Sequence, residues 1–166
     1  MIITLKDITK DNWVDIICLE ITKEQEDFVA LNSESIAASK FFDHYINRGI
    51  YVDDEPVGFV QYYSNHENGW PEEVFIDQLM IDIKHQRKGF GSQAIPLVLE
   101  EIKNLGKYKS VSICYVEGND MMKPFFEQFG FAVVDQDEFD ETIMRLFFWY
   151  WSDEYPLLLK VSSGYL

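Results

Sequence analysis

At 166 residues, with 47% hydrophobic and 16% aromatic content, the chain is sized for one domain with a substantial core. A formal net charge of -15 opposes binding to nucleic acid and favours cationic partners. No apolar run is long enough to span a bilayer, and Met1 to Lys6 lacks the basic and apolar regions of a signal peptide, so a cytoplasmic protein with no membrane partner is expected.

Taken in chain order, Ile2 to Leu5 reads as a first strand, and Asn12 to Leu19 as a helix capped by Thr9 or Asp11. An acidic connection holding Glu20, Glu24, Glu26 and Asp27 follows. A second helix is predicted from Ser33 to Tyr45, with Ile36, Ala37, Phe41 and Tyr45 on one face. Gly49 to Val52 and Val57 to Tyr63 form a hairpin around Asp53-Asp54-Glu55-Pro56, and Asn65 to Pro71 is a polar loop. Val74 to Ile83, rich in β-branched and aromatic residues, has the composition of a largely buried strand. The next helix is marked by Ala94, Ile95, Val98, Leu99, Ile102 and Leu105, with Pro96 requiring that it start near Ser92 or bend. Ser110 to Val116 is a strand, Asn119 to Gln128 a helix, and Phe131 to Val134 with Thr142 to Phe148 a closing strand pair. Cys18 and Cys114 have apolar neighbours and read as buried free thiols, and His44, His66 and His85 show no ligand spacing, so no metal is expected.

Between the central strand and its helix stands Gln86-Arg87-Lys88-Gly89-Phe90-Gly91. Glycines at such a junction let the backbone aim several N–H groups at one anion, and the helix start adds partial positive charge; equally, they serve any turn that needs φ freedom. A P-loop is excluded, because no Gly-Lys-Ser/Thr triplet occurs. Gly89 to Ala94 fits the dinucleotide fingerprint Gly-x-Gly-x-x-Ala, but no carboxylate stands about 20 residues on, around Tyr108-Lys109-Ser110-Val111.

The pattern Gln-x-x-Gly-x-Gly between a long strand and a helix resembles the acetyl-CoA-binding segment of the GNAT N-acetyltransferases, and Asn119 to Phe131, an Asn opening a short aromatic helix that closes in Gly130-Phe131, resembles their second signature. The resemblance runs from about Ile3 to Met144 and implies an α/β (α+β) acyltransferase fold for residues 1–148, with a mixed, mostly antiparallel sheet whose central strands splay apart. It implies that pantetheine lies along Leu79, Met80 and Ile81, that the pyrophosphate meets N–H groups from Gln86 to Ser92, with Arg87, Lys88, Gly89, Phe90 and Gly91 between, and that Asn119 holds the pantetheine arm or caps its helix. Phe125 and Phe126 then flank the thioester.

Acyl transfer to an amine requires a proton acceptor, an oxyanion donor and a leaving thiolate. Asp77, a carboxylate inside an apolar strand, is the candidate base, and the N–H of Leu79 or Met80 the candidate oxyanion donor by analogy with the family. The family's proton-donating Tyr is replaced by Phe126, which has no proton to give. Either the thiol, of pKa about 8.5, leaves unaided, or Tyr115 or water serves, or the protein binds acetyl-CoA as a sensor with little turnover.

Leu19 to Asn32 and Asp54 to Phe59 resemble the bacterial spermine/spermidine N-acetyltransferase branch, which implies a cationic small-molecule amine met by Glu20, Glu24, Glu26, Asp27 and Asp77. Asp135, Asp137, Glu138, Asp140 and Glu141 form a further acidic run that can line the same approach. The aromatic extension 149–166 is too apolar to be left in water and is expected to cover a sheet edge or the partner of a homodimer.

Overall fold

The structure, a computed structural model, describes residues 1–119, 121–137 and 140–148. The aromatic extension 149–166 and Glu138 lie outside the described residues. Seven strands form one sheet: β1 (Ile3–Asp7), β2 (Tyr45–Val52), β3 (Glu55–Ser64), β4 (Glu73–Ile81), β5 (Ser110–Tyr115), β6 (Ala132–Gln136) and β7 (Thr142–Phe147). Their order is β1-β2-β3-β4-β5-β7-β6, and every neighbouring pair is antiparallel except β4 with β5.

Among the described residues four α-helices cover the two faces: α1 (Trp13–Ile17), α2 (Asn32–Ala38), α3 (Phe90–Asn104) and α4 (Met122–Glu127). The larger core joins Ala94, Ile95, Val98, Leu99 and Ile102 of α3 and Phe126 of α4 to Val74, Ile76, Val111, Ile113, Met144 and Leu146 of the sheet. The smaller core gathers Ile16 of α1, Tyr51, Phe59 and Met80, with Ile36 of α2 against them. Pro96 stands on the exposed side of α3, which starts at Phe90 rather than Ser92.

Two boundaries shift for a tertiary reason. The second helix ends at Ala38 and not at Tyr45, because Tyr45 opens β2 opposite Tyr63 and the two rings stack with centroids 4.5 Å apart. Phe41, placed by its spacing on the buried helical face, is 82% exposed. Gly49 lies within β2 and not at its start: a Cβ there would stand 2.8 Å from both Ile16 Cδ1 and the Tyr51 ring, so the close approach of α1 demands glycine. Both cysteines are free thiols, but Cys18 is exposed at the end of α1 and Cys114 is half-buried, which corrects the expectation that both are buried.

Candidate active site

The parallel pairing of β4 with β5 runs from Glu73 opposite Ser110 to Ile76 opposite Ile113 and stops, although β4 continues to Ile81 and β5 to Tyr115. Peptide groups on that side of residues 77–81 therefore lack a strand partner, which leaves a wedge edged with backbone donors and acceptors. The closed end is fastened by Glu73, 2% exposed, which accepts from Asn65 Nδ2 at 2.8 Å and Ser110 Oγ at 3.2 Å and is ion-paired with Arg145 of β7.

Where the wedge opens, β4 carries a β-bulge. Gln61 of β3 pairs with Gln78 and Tyr62 with Ile76, so Asp77 is the extra residue. Gln78 reaches α2 and its approach, donating to Ala30 O at 2.7 Å and Asn32 Oδ1 at 2.9 Å and accepting from Ser35 Oγ. Alternation from Ile76, which packs in the α3 core, already sends Asp77 to the α1/α2 side and would send Gln78 back to the α3 side. The bulge instead keeps Gln78 on the α1/α2 side next to Asp77, which lies within electrostatic range of Tyr45, Tyr63 and Cys114.

Beyond Ile81 the chain turns through 82–89 into α3. Buried Asp82 accepts from Glu20 N at 3.0 Å and Lys84 N at 2.9 Å, and Gln86 Nε2 donates to Ile81 O at 2.9 Å and Gln25 Oε1 at 2.8 Å. These bonds fasten the turn to the acidic connection. Arg87 and Gly89 both have left-handed backbone, with φ of 61° and 78°. Gly89 is the N-cap of α3, no side chain caps that end, and its first turn holds no acidic residue. The first N–H groups of a helix have no intrahelical acceptor, so this end presents several donors and a positive dipole to an anion. Gly91 differs from Gly89: a Cβ on it would meet Phe125 and Ile81 at 3.5–3.6 Å, ordinary contact distances that put the start of α3, the end of β4 and α4 around one space.

The acetyltransferase (GNAT) family profile matches residues 6–131, which span the splayed parallel pair and the uncapped helix start. The chain belongs to the GNAT acetyltransferase family. It is 25% identical over 151 residues to the spermine/spermidine N(1)-acetyltransferase of Bacillus subtilis, with 87% of this chain and 97% of that protein covered. Among solved structures, an aminoglycoside acetyltransferase AAC(6')-Ib in complex with coenzyme A superposes with a TM-score of 0.72 at 16% identity, covering 87% of this chain and 94% of that one. The PaiA N-acetyltransferase of Thermoplasma acidophilum in complex with coenzyme A gives 0.62 at 15% identity, covering 87% and 98%. At such identities these two neighbours establish the fold.

Within this GNAT acetyltransferase the electrostatics centre on Asp77. Solvent reaches the carboxyl, yet protein atoms surround it closely enough that desolvation, with the charge of Glu141 second, raises its pKa above the ordinary aspartate value. Tyr63 is raised by burial and then by Asp77, and Cys114 by burial and then by its hydrogen bond to Glu141, so both stay neutral at physiological pH. A thiol held in that form is a poor nucleophile.

Several expected contacts fall elsewhere. Phe126, grouped with the thioester contacts, is 1% exposed and packs edge-on against Phe131 with centroids 5.2 Å apart, because α4 turns that ring into the core. Phe125 is the ring that borders the wedge. Asn119 does not cap α4, whose N-cap is Met121 without a side-chain cap bond; its carbonyl accepts from Met122 N at 3.1 Å. The side chains of Phe90 and Met80 are buried, and the Gln86 amide is engaged within the protein as described above. Arg87, Lys88, Glu20, Glu24, Glu26 and Asp27 are all exposed, the four carboxylates on a connection tied to the glycine turn through Gln25 and Glu20 N. Tyr115 packs partly against the α3 core, on the face of β5 opposite Cys114.

Residue spacing carries no sign of the roles of Tyr45 and Tyr63 or of the closeness of Glu141 to Asp77. Tyr45 was hidden inside an assumed helix, and a bulge leaves no mark in a single sequence; the acidic run around Glu141 was visible, but not where it folds.

Proposed function

We propose that this acetyltransferase moves an acetyl group from acetyl-CoA to a primary amine of a polyamine such as spermine or spermidine, by direct attack within a ternary complex. The observation that carries the reading is Asp77 on its bulge at the mouth of the wedge, with Glu141 beside it. An alkyl ammonium of pKa about 10 is mostly protonated at neutral pH, and a carboxylate with a raised pKa is better matched to drawing that proton off than an ordinary one. Asp77 takes the ammonium proton and passes it to solvent; the free amine attacks the thioester carbon, the C–N bond forms and the C–S bond breaks, and the proton then shed by the nitrogen reaches the departing thiolate through Tyr115 or water. Backbone N–H groups of Leu79 or Met80 bind the oxyanion, and those from Arg87 to Ser92 bind the pyrophosphate, with Arg87 and Lys88 adding positive charge. Asn119, excluded as a helix cap, holds the pantetheine arm.

The neutral, poorly nucleophilic Cys114 argues for direct transfer over an acetylated cysteine. The carboxylates of Asp77, Glu141 and Asp137 attract the acceptor's ammonium groups, and the likeness to the Bacillus spermine/spermidine enzyme supports that acceptor class. Glu20, Glu24, Glu26 and Asp27 form an outer rim on the same route. Thiol release from acetyl-CoA on adding spermine or spermidine tests this: turnover is expected with both, and none with either, alongside turnover of a monoamine, would move the assignment to another amine.

A further inference from the structure

The fold assembles a group of side chains that the acetyl-transfer chemistry does not use. His44, in the connection between α2 and β2, and His66 and Glu67, in the short helical turn after β3, each offer one ligand atom within 4.8 Å of the others. The two imidazoles meet edge-on, with centroids 4.7 Å apart. His66 Nδ1 lies 3.3 Å from both the carbonyl oxygen and Oγ of Ser64. A carbonyl only accepts, so Nδ1 carries the proton and Nε2 is left with its lone pair. His44 Nδ1 lies 3.8 Å from the Asp43 carboxylate while its Nε2 faces Glu67 Oε2 at 4.0 Å. His66, its far nitrogen held by a carbonyl, has the arrangement that orients histidine toward a metal, and His44 has a carboxylate on its far side at ion-pair distance.

We propose that His44, His66 and Glu67 bind one divalent transition ion of the Zn2+ class, with water completing the coordination. Two imidazoles and a carboxylate suit Zn2+ and its borderline neighbours and disfavour Mg2+, which prefers oxygen ligands throughout. A tetrahedral Zn2+ with bonds of about 2.0–2.1 Å holds its ligand atoms about 3.3 Å apart, so the group closes by roughly 1–1.5 Å on loading. His66 and Glu67 are exposed and free to make that movement, whereas His44 is fixed among the Phe42, Tyr45 and Tyr63 rings. Asp43 and Glu67 add negative charge on the two sides of His44, in a protein of net charge -15. The ion would fasten the α2–β2 connection to the turn after β3, against the Tyr45–Tyr63 stack that lies within electrostatic range of Asp77.

The test is calorimetric titration of the full, tag-free, chelator-stripped chain with ZnCl2, and with MgCl2 in parallel. One equivalent of Zn2+ is expected to bind, Mg2+ to give no saturable heat, and Zn2+ affinity to fall at least tenfold in both His66→Ala and Glu67→Gln. Both positions are exposed, and unchanged far-ultraviolet circular dichroism verifies that the variants fold. A smaller fall in either folded variant, or no saturable Zn2+ binding by the wild type, overturns the proposal.

Discussion

The Asp77 carboxyl must be ionised to take a proton, so acetylation is expected to slow as pH falls through its raised pKa, on the alkaline side of the ordinary aspartate range. Asp77→Asn should remove that limb of the pH–rate profile and lower kcat by about 10²–10⁴-fold, with the KM for acetyl-CoA unchanged. Its effect on stability has the opposite sign. A carboxyl whose folded-state pKa is raised supports the fold fully below its unfolded value of 3.8 and loses that support as pH rises through the folded value. At neutral pH the Asn variant should therefore melt no lower than the wild type, which thermal denaturation measures. Phe126 behaves differently from what its alignment with a catalytic Tyr implies. Because the ring is 1% exposed, Phe126→Tyr would bury a hydroxyl at a cost of about 1–3 kcal/mol and should not raise kcat. Urea unfolding and steady-state rates check both halves; faster turnover at unchanged stability would mean that this ring reaches the wedge.

At the scale of elements, the turn into α3 separates two uses of glycine. Gly89 holds φ at 78° as the helix N-cap, so Gly89→Ala should cost about 1–2 kcal/mol and raise the KM for acetyl-CoA by distorting the donors around it. A methyl group on Gly91 would sit 3.5 Å from Phe125, an ordinary contact, so Gly91→Ala should stay within about 0.5 kcal/mol of the wild type and keep its KM. Melting curves and acetyl-CoA titration of the two variants read the contrast. Periodicity locates α3 by its one-sided apolar record and β4 by its nearly continuous one, whereas the aromatic residues up to Tyr45 suit helix and strand alike and only pairing with β3 decides between them.

For the whole molecule, a net charge of -15 governs the encounter with a polycation. The KM for spermine should rise steeply with added NaCl while that for a monoamine rises less, since salt screens the summed field in proportion to the ligand's charge. The same field repels an anionic acetyl donor in general, and on the proposed reading the donors at the start of α3 and exposed Arg87 and Lys88 offset it there. Tertiary closure also decides which end of the wedge opens: Glu73, with Asn65, Ser110 and Arg145, ties β4, β5 and β7 together at one end, and no comparable ties join residues 77–81 to β5 among the described residues.

The amino-acid sequence by itself determined the element order, the glycine turn at the head of α3 and the GNAT resemblance, because each rests on residues close together in the chain. Only the tertiary structure decided that Asp77 shares a face with Gln78, that Glu141 stands near it, that Phe126 turns inward and that His44 meets His66. Each of those depends on one register shift or on contacts between distant strands, and a bulge that reverses side-chain parity has no local signature.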